Sequence, residues 1–268
     1  MCIGLPVYCK MLKKRIIPKF LLNEGRLVKY RRFFDNRREA GNPISTARVY
    51  NDYGADEFII LDILPNAESK TGVLSIIEKM SEQIFMPFTV GGGVKSLEDV
   101  NDMLRAGADK VSVNSYAVRE PDFVRTAART FGDQCITVSI DYMKIAPKVS
   151  RVFIDGGREQ TSYNPQDWAM KMQDSNCGEI LITSIDRDGV MSGYDLDLIA
   201  KLDEVLDVPL VVSGGCGSLR HCIDAFNAGA SAVAISSLFL FTDHSPIKLR
   251  SHLVSNGINV RASKSSRN

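Results

Sequence analysis

Short runs rich in β-branched and other apolar residues alternate with amphipathic stretches along nearly the whole chain. The runs Arg15–Leu22, Phe58–Asp62, Pro87–Val90, Lys110–Val113, Cys135–Asp141, Glu179–Ser184, Pro209–Val212 and Ala232–Ile235 read as strands. The stretches Pro43–Tyr53, Gly72–Gln83, Ser96–Arg105, Pro121–Thr130, Pro165–Asp174, Leu196–Leu206, Ser218–Asn227 and Pro246–Ser255 carry helical spacing. Ser96 is placed as an N-cap with Asp99 at N3, an acidic variant of the capping box. Strictly alternating strands and helices predict a parallel sheet covered by helices, and eight such units close a (β/α)8 barrel.

The chain also repeats itself. Thr89–Val118 and Val211–Leu240 share eleven of thirty positions, among them Gly92/Gly214, Gly93/Gly215 and Ser115/Ser237. A period near half the chain predicts two (βα)4 half-barrels rather than a small-repeat solenoid. Strands 3 and 4 then face strands 7 and 8. No Pro/Gly/Ser-rich linker interrupts the middle, so residues 11–268 are expected to form one barrel domain. Residues 1–10, before the second methionine Met11, read as a disordered extension or a misplaced start.

Composition changes this picture little. The net charge of +1 gives no field to draw nucleic acid or an acidic membrane. No eighteen-residue apolar run is present, so no membrane span is expected. Cys2, Cys9, Cys135, Cys177, Cys216 and Cys222 lack paired metal spacing, and a reducing cytoplasmic location is expected. His221, His244 and His252 have no ligand partner at useful spacing, so neither metal nor cofactor is expected. Trp168 reads as a packing residue.

Four sets of residues carry candidate chemistry. The first is a glycine turn used twice, at Gly91-Gly92-Gly93 and at Gly214-Gly215, each after a strand and before a helix. Such turns bring backbone N–H groups close to an anion. Asn114-Ser115 and Ser236-Ser237 end the next strands and add donors, which suits a substrate with a phosphate at each end. Glycines that only make tight turns are the alternative. The second is Thr183-Ser184-Ile185-Asp186-Arg187-Asp188-Gly189, a polar cluster after strand 6, which reads either as substrate contact at a C-terminal strand end or as a solvated charged loop. The third is Asp62 and Asp141, at the ends of strands 2 and 5, either of which acts as acid or base if burial raises its pKa. Asp62 serves equally well as a structural acceptor, so Asp141 is the catalytic candidate. Its two-fold mate is Leu21, an apolar residue, with Glu24 the nearest carboxylate. The fourth is Arg15, Glu57, Lys110 and Glu179, charges at strand beginnings on the opposite face. They either close the bottom of the barrel together or are unrelated surface charges.

With these residues in hand, the chain closely resembles the cyclase subunit of imidazole glycerol phosphate synthase from Met11 to about Val260. The marks are Lys14-Arg15-Ile16-Ile17, Gly25-Arg26-Leu27-Val28-Lys29, Thr89-Val90-Gly91-Gly92-Gly93, Ala106 through Ser115, Gly178 through Gly189 and Ser213-Gly214-Gly215. The resemblance implies a glutaminase partner on the strand-N-terminal face and ammonia passing through the barrel. It places the salt-bridged entrance on Arg15, Glu57, Lys110 and Glu179. It places phosphate binding on Gly93, Asn114 and Ser115, and on Asp188, Gly189, Gly215, Ser236 and Ser237; Gly92, Gly214 and Ser184 join the candidate set as members of the same turns and polar strand end.

The departure is at the chemistry. The family's two catalytic aspartates fall on Asp141 and on Leu21, and Lys19-Phe20-Leu21-Leu22 replaces the usual cysteine–leucine–aspartate–valine. Losing a positioned acid or base costs about 10²–10⁴-fold in rate. A leucine-rich first strand resembles the paralogous branch found with surface-polysaccharide genes. That branch has its own glutaminase and supplies ammonia to a separate sugar amidotransferase that forms acetamidino groups. The expected function is therefore ammonia channelling for sugar amidination. The alternatives are a true cyclase and lyase of histidine biosynthesis, with Glu24 or another acid in place of Leu21, and a non-catalytic scaffold that activates the glutaminase. A sugar isomerase of the related half-barrel type has no use for the four-charge ring.

Overall fold

The computed structural model describes residues 13–63 and 68–261. The expected extension, residues 1–10, lies outside the described residues. Strand β1 (Arg15–Asn23) runs into an antiparallel hairpin of β2 (Arg26–Arg31) and β3 (Asp35–Gly41). Then come β4 (Phe58–Asp62), β5 (Phe88–Gly91), β6 (Lys110–Val113) and β7 (Ile136–Ala146). Strand β7 also runs on, into antiparallel β8 (Val149–Ile154), which pairs with β9 (Glu159–Gln160). Strands β10 (Glu179–Ser184), β11 (Leu210–Ser213) and β12 (Ala232–Ile235) follow. The eight predicted strands β1, β4, β5, β6, β7, β10, β11 and β12 pair in parallel in that order, and β12 returns to β1. The sheet is a closed barrel.

The eight predicted helices are α1 (Pro43–Asp52), α2 (Glu68–Ser81), α3 (Leu97–Arg105), α5 (Asp122–Phe131), α6 (Pro165–Gln173), α7 (Leu196–Val205), α8 (Leu219–Asn227) and α10 (Pro246–Ser255). Two single-turn helices, α4 (Ser115–Arg119) and α9 (Ser237–Phe241), follow β6 and β12 and were not expected. Helix α2 starts a turn before the expected Gly72, because a lone glycine is tolerated inside a helix. Cys135 belongs to a 3₁₀ turn rather than to the strand it precedes. Ser96 caps α3 as expected, accepting the Asp99 N–H at 3.1 Å. The Asp99 carboxylate, a methylene shorter than the usual Glu, accepts from the Lys95 N–H at 2.9 Å instead of from the cap residue.

The internal repeat is a repeat of geometry. Ser96 and Ser218 cap their helices at φ/ψ of −151/163° and −152/162°. In each half the first strand projects beyond the barrel as a hairpin. The ladder registers fix the equivalence of the halves. Ile17 pairs with Ala234, and Thr137 pairs with Ser112, the repeat mate of Ala234. Counting along each strand superposes Lys19 on Ser139 and Leu21 on Asp141, which settles the register.

The apolar core has two layers. Ile16, Phe20, Leu22, Phe58, Ile60, Ile136, Val138, Ile180 and Ile182 face the helices. Ile17, Ile59, Leu181, Val211, Ala232 and Ala234 form a separate cluster inside the barrel. Both faces of each strand are therefore buried, and the strands read as continuous apolar runs rather than alternating ones. Trp168 is buried in α6 against Tyr163, with ring centroids 4.5 Å apart, as a packing residue.

Candidate active site

Pairing in register puts Arg15, Glu57, Lys110 and Glu179 on the inward parity at the strand beginnings. They meet there. Arg15 Nη1 lies 2.5 Å from Glu57 Oε1, and Arg15 Nη2 bonds Glu179 Oε1. Lys110 Nζ lies 3.1 Å from Glu57 Oε2 and 3.0 Å from Glu179 Oε2. Each cation bridges both anions, so the ring is closed. Burial works against the Arg15 charge, yet Glu179 and Glu57 together outweigh it and raise the guanidinium pKa. Burial likewise opposes the Glu57 charge, and Arg15 and Lys110 reverse it and hold the carboxyl below its usual range. The ring caps the inner apolar cluster from below.

The opposite rim carries a small cleft, lined among others by Lys19, Leu21, Asp188, Gly215, Ser236 and Ser237, with Gly189 and Gly214 beside them. The Ser236 and Ser237 hydroxyls are buried with no hydrogen-bond partner in the fold. Both residues line the cleft together with Gly189, Gly214 and Gly215, and unpaired hydroxyls beside glycine turns suit an anion. Gly215 sits at φ +110°, and a Cβ there would lie 2.1 Å from the Gly193 carbonyl oxygen. No other residue fits.

The first-half turn sits across the barrel and outside that cleft. Gly92 has φ +112°, and its Cβ would fall 2.1 Å from the Asp62 carbonyl oxygen. The backbone of the half-buried Asp62 thus lies close against this turn. Gly93 follows with open space beside it. Asn114 donates to Asp141 Oδ2 at 2.7 Å, and its own amide oxygen is buried without a partner. Ser115 Oγ accepts from the Asp155 N–H at 2.9 Å, which ties α4 to the loop after β8. Ser184 is buried, and its carbonyl accepts the Asp188 N–H at 3.0 Å.

Asp141 is buried at the C-terminal end of the barrel interior. Burial raises its pKa to about 6, against the pull of Lys19 and of hydrogen bonds from Asn114 and Thr183, with Asp188 adding repulsion. A carboxyl tuned there exchanges protons near neutrality. Leu21 occupies the matching place on β1 and lines the cleft with carbon. Glu24 is exposed at the tip of the β1–β2 turn, at φ +51°.

Two lysines complete the site, and the sequence reading passed over both. Lys29 of β2 holds Asp188 through both carboxylate oxygens, at 2.8 and 2.6 Å, with both side chains buried. Lys19 of β1 donates to Thr183 Oγ1 at 2.9 Å and to Ser213 Oγ at 3.1 Å. The signal was a lone lysine inside the apolar run Ile16–Leu22. Burial lowers its pKa, opposed by Asp188 and Asp141 and aided by Lys29.

Among the described residues no three His, Cys, Asp or Glu side chains gather as a metal site, and no helix is long and apolar enough to cross a membrane. The closed eight-stranded barrel and its half-barrel repeat agree with what a comparison with known families finds. Residues 15–245 match the family described as Histidine biosynthesis protein, and the chain belongs to that family.

Proposed function

We propose that this chain is the ammonia-using, synthase-type subunit of a glutamine amidotransferase complex. In this reading a glutaminase docks on the strand-N-terminal face. Ammonia enters past Arg15, Glu57, Lys110 and Glu179 and meets a phosphorylated substrate at the C-terminal rim. The product serves amidination of a surface-polysaccharide sugar, in the cytoplasm, by way of a separate sugar amidotransferase. The observation that carries the reading is one barrel with a closed charge ring at its base and a cleft lined by glycines and serines at its top, with leucine at the place on β1 that matches Asp141 on β7. The ring supports channelling, since an isomerase or a scaffold needs no charged, closable base. Leu21 argues against imidazole formation, because a hydrocarbon cannot transfer a proton.

The test uses purified protein, an ammonium salt and the bisphosphate aminoimidazole-carboxamide ribotide substrate of the cyclase. No imidazole glycerol phosphate is expected, while Leu21→Asp is expected to gain turnover. A fast wild-type reaction would return the chain to histidine biosynthesis. Co-purification of a glutaminase whose glutamine turnover rises on adding this chain tests the docked partner.

A further inference from the structure

Channelling leaves one buried group unused. Lys19 lies above the inner apolar cluster, at the position that the half-barrel symmetry gives to Ser139. Its amine bonds only the neutral hydroxyls of Thr183 and Ser213, and among the described residues it makes no ion pair. The charged groups facing it are Asp141 from β7, Asp188 from the loop after β10 and Lys29 from β2. Asp188 is already committed to Lys29 through both oxygens. Lys19 is thus an amine in the wall of the anion cleft, without a neutralising carboxylate of its own. Desolvation lowers its pKa and enlarges the neutral, nucleophilic fraction. Thr183 connects it to Asp141, since that hydroxyl accepts from Lys19 and also bonds the Asp141 carboxyl.

We propose that Lys19 forms an imine with the carbonyl carbon of a phosphorylated keto- or aldo-sugar whose phosphate rests on Gly215, Ser236 and Ser237. The nitrogen lone pair makes the C–N bond while the carbonyl π pair moves to oxygen, which takes a proton. Nitrogen gives up a proton through Thr183 to ionised Asp141. Asp141 in its acid form then protonates the hydroxyl of the carbinolamine, which leaves as water, and a protonated imine remains. Carbonyl, neutral amine and one proton become protonated imine and water, with no change of oxidation state. Ammonia adding to the imine carbon expels Lys19 and leaves an unsubstituted imine. An acid at position 21 is then unnecessary, because a covalent amine activates the carbonyl in its place. The proposal rests on the reading of this rim as a phosphorylated-substrate site.

The experiment incubates the full chain with ribulose 5-phosphate and sodium borohydride, then maps modified lysines by peptide mass spectrometry. Binding of inorganic phosphate is titrated separately on the wild type and on Lys19→Met, with the fold of the variant checked by circular dichroism. The expected result is a saturable adduct on Lys19 that inorganic phosphate suppresses and unphosphorylated ribulose does not form. Asp141→Asn is expected to slow trapping by about 10²-fold. Phosphate binding without an adduct on Lys19 overturns the imine and leaves the anion site standing. Failure of phosphate to bind overturns both. Adducts spread over surface lysines, indifferent to phosphate, also refute the proposal.

Discussion

Replacing Asp141 by Asn removes a carboxyl whose ionisation the fold opposes. Burial raises its pKa from 3.8 to about 6, so the folded protein binds more protons than the unfolded chain between those values. Stability therefore falls as pH rises through that window. The penalty is absent below it and complete above it. At 1.36 kcal/mol for each tenfold step, the full difference is about 3 kcal/mol. Asparagine keeps the shape and a hydrogen-bonding partner for Asn114 without the charge. Urea titrations of wild type and Asp141→Asn at about pH 4.5 and about pH 7.5 read the effect, and the variant is expected to gain about 2 kcal/mol relative to wild type between the two. The variant is thus expected to be the more stable protein at neutral pH and the slower one in any reaction that moves a proton through this carboxyl. A stability difference that stays constant with pH, or a variant that loses ground as pH rises, would refute the assignment of a raised pKa to burial.

Three further outcomes follow from named contacts. Arg15→Met leaves Lys110 alone to balance two buried glutamates, and a loss of about 3–5 kcal/mol in urea unfolding is expected; a loss below about 1 kcal/mol would mean that water already screens the ring. Gly215→Ala forces a Cβ against the Gly193 carbonyl oxygen at positive φ, so about 1–3 kcal/mol of strain is expected, read as a lowered urea midpoint together with weaker phosphate binding by calorimetry. Asp188→Asn strands the buried Lys29 ammonium at a cost of about 3–5 kcal/mol, and hydrogen exchange of the Arg32 N–H, which bonds the Asp188 carbonyl at 2.7 Å, is expected to quicken as β2 loosens.

The eight strands were legible because each is a short apolar run bounded by turn residues, and the helices because their apolar positions recur at helical spacing. The duplicated glycine turn exposed the two-fold. That information is local, or repeats at one fixed offset. The hairpins were invisible for the opposite reason. Strand β3 is Asp-Asn-Arg-Arg-Glu-Ala-Gly, exposed along almost its whole length and held by its ladder to β2 instead of by an apolar face. The one-turn helices α4 and α9 are too short to show a period.

Residue types at the site were also written in the chain: Asp141, the paired serines, the four charges at strand beginnings, and Leu21 where an acid was expected. Their relations were decided only when the barrel closed. Arg15 reaches Glu179 across 164 positions, Lys19 reaches Thr183 across the same separation, and Lys29 reaches Asp188 across 159. Linear sequence sets which way each side chain points, through the two-residue period of a strand. Closure alone makes inward-pointing side chains converge, and convergence turns scattered charges into a ring and a lone lysine into a desolvated amine beside a carboxyl of raised pKa.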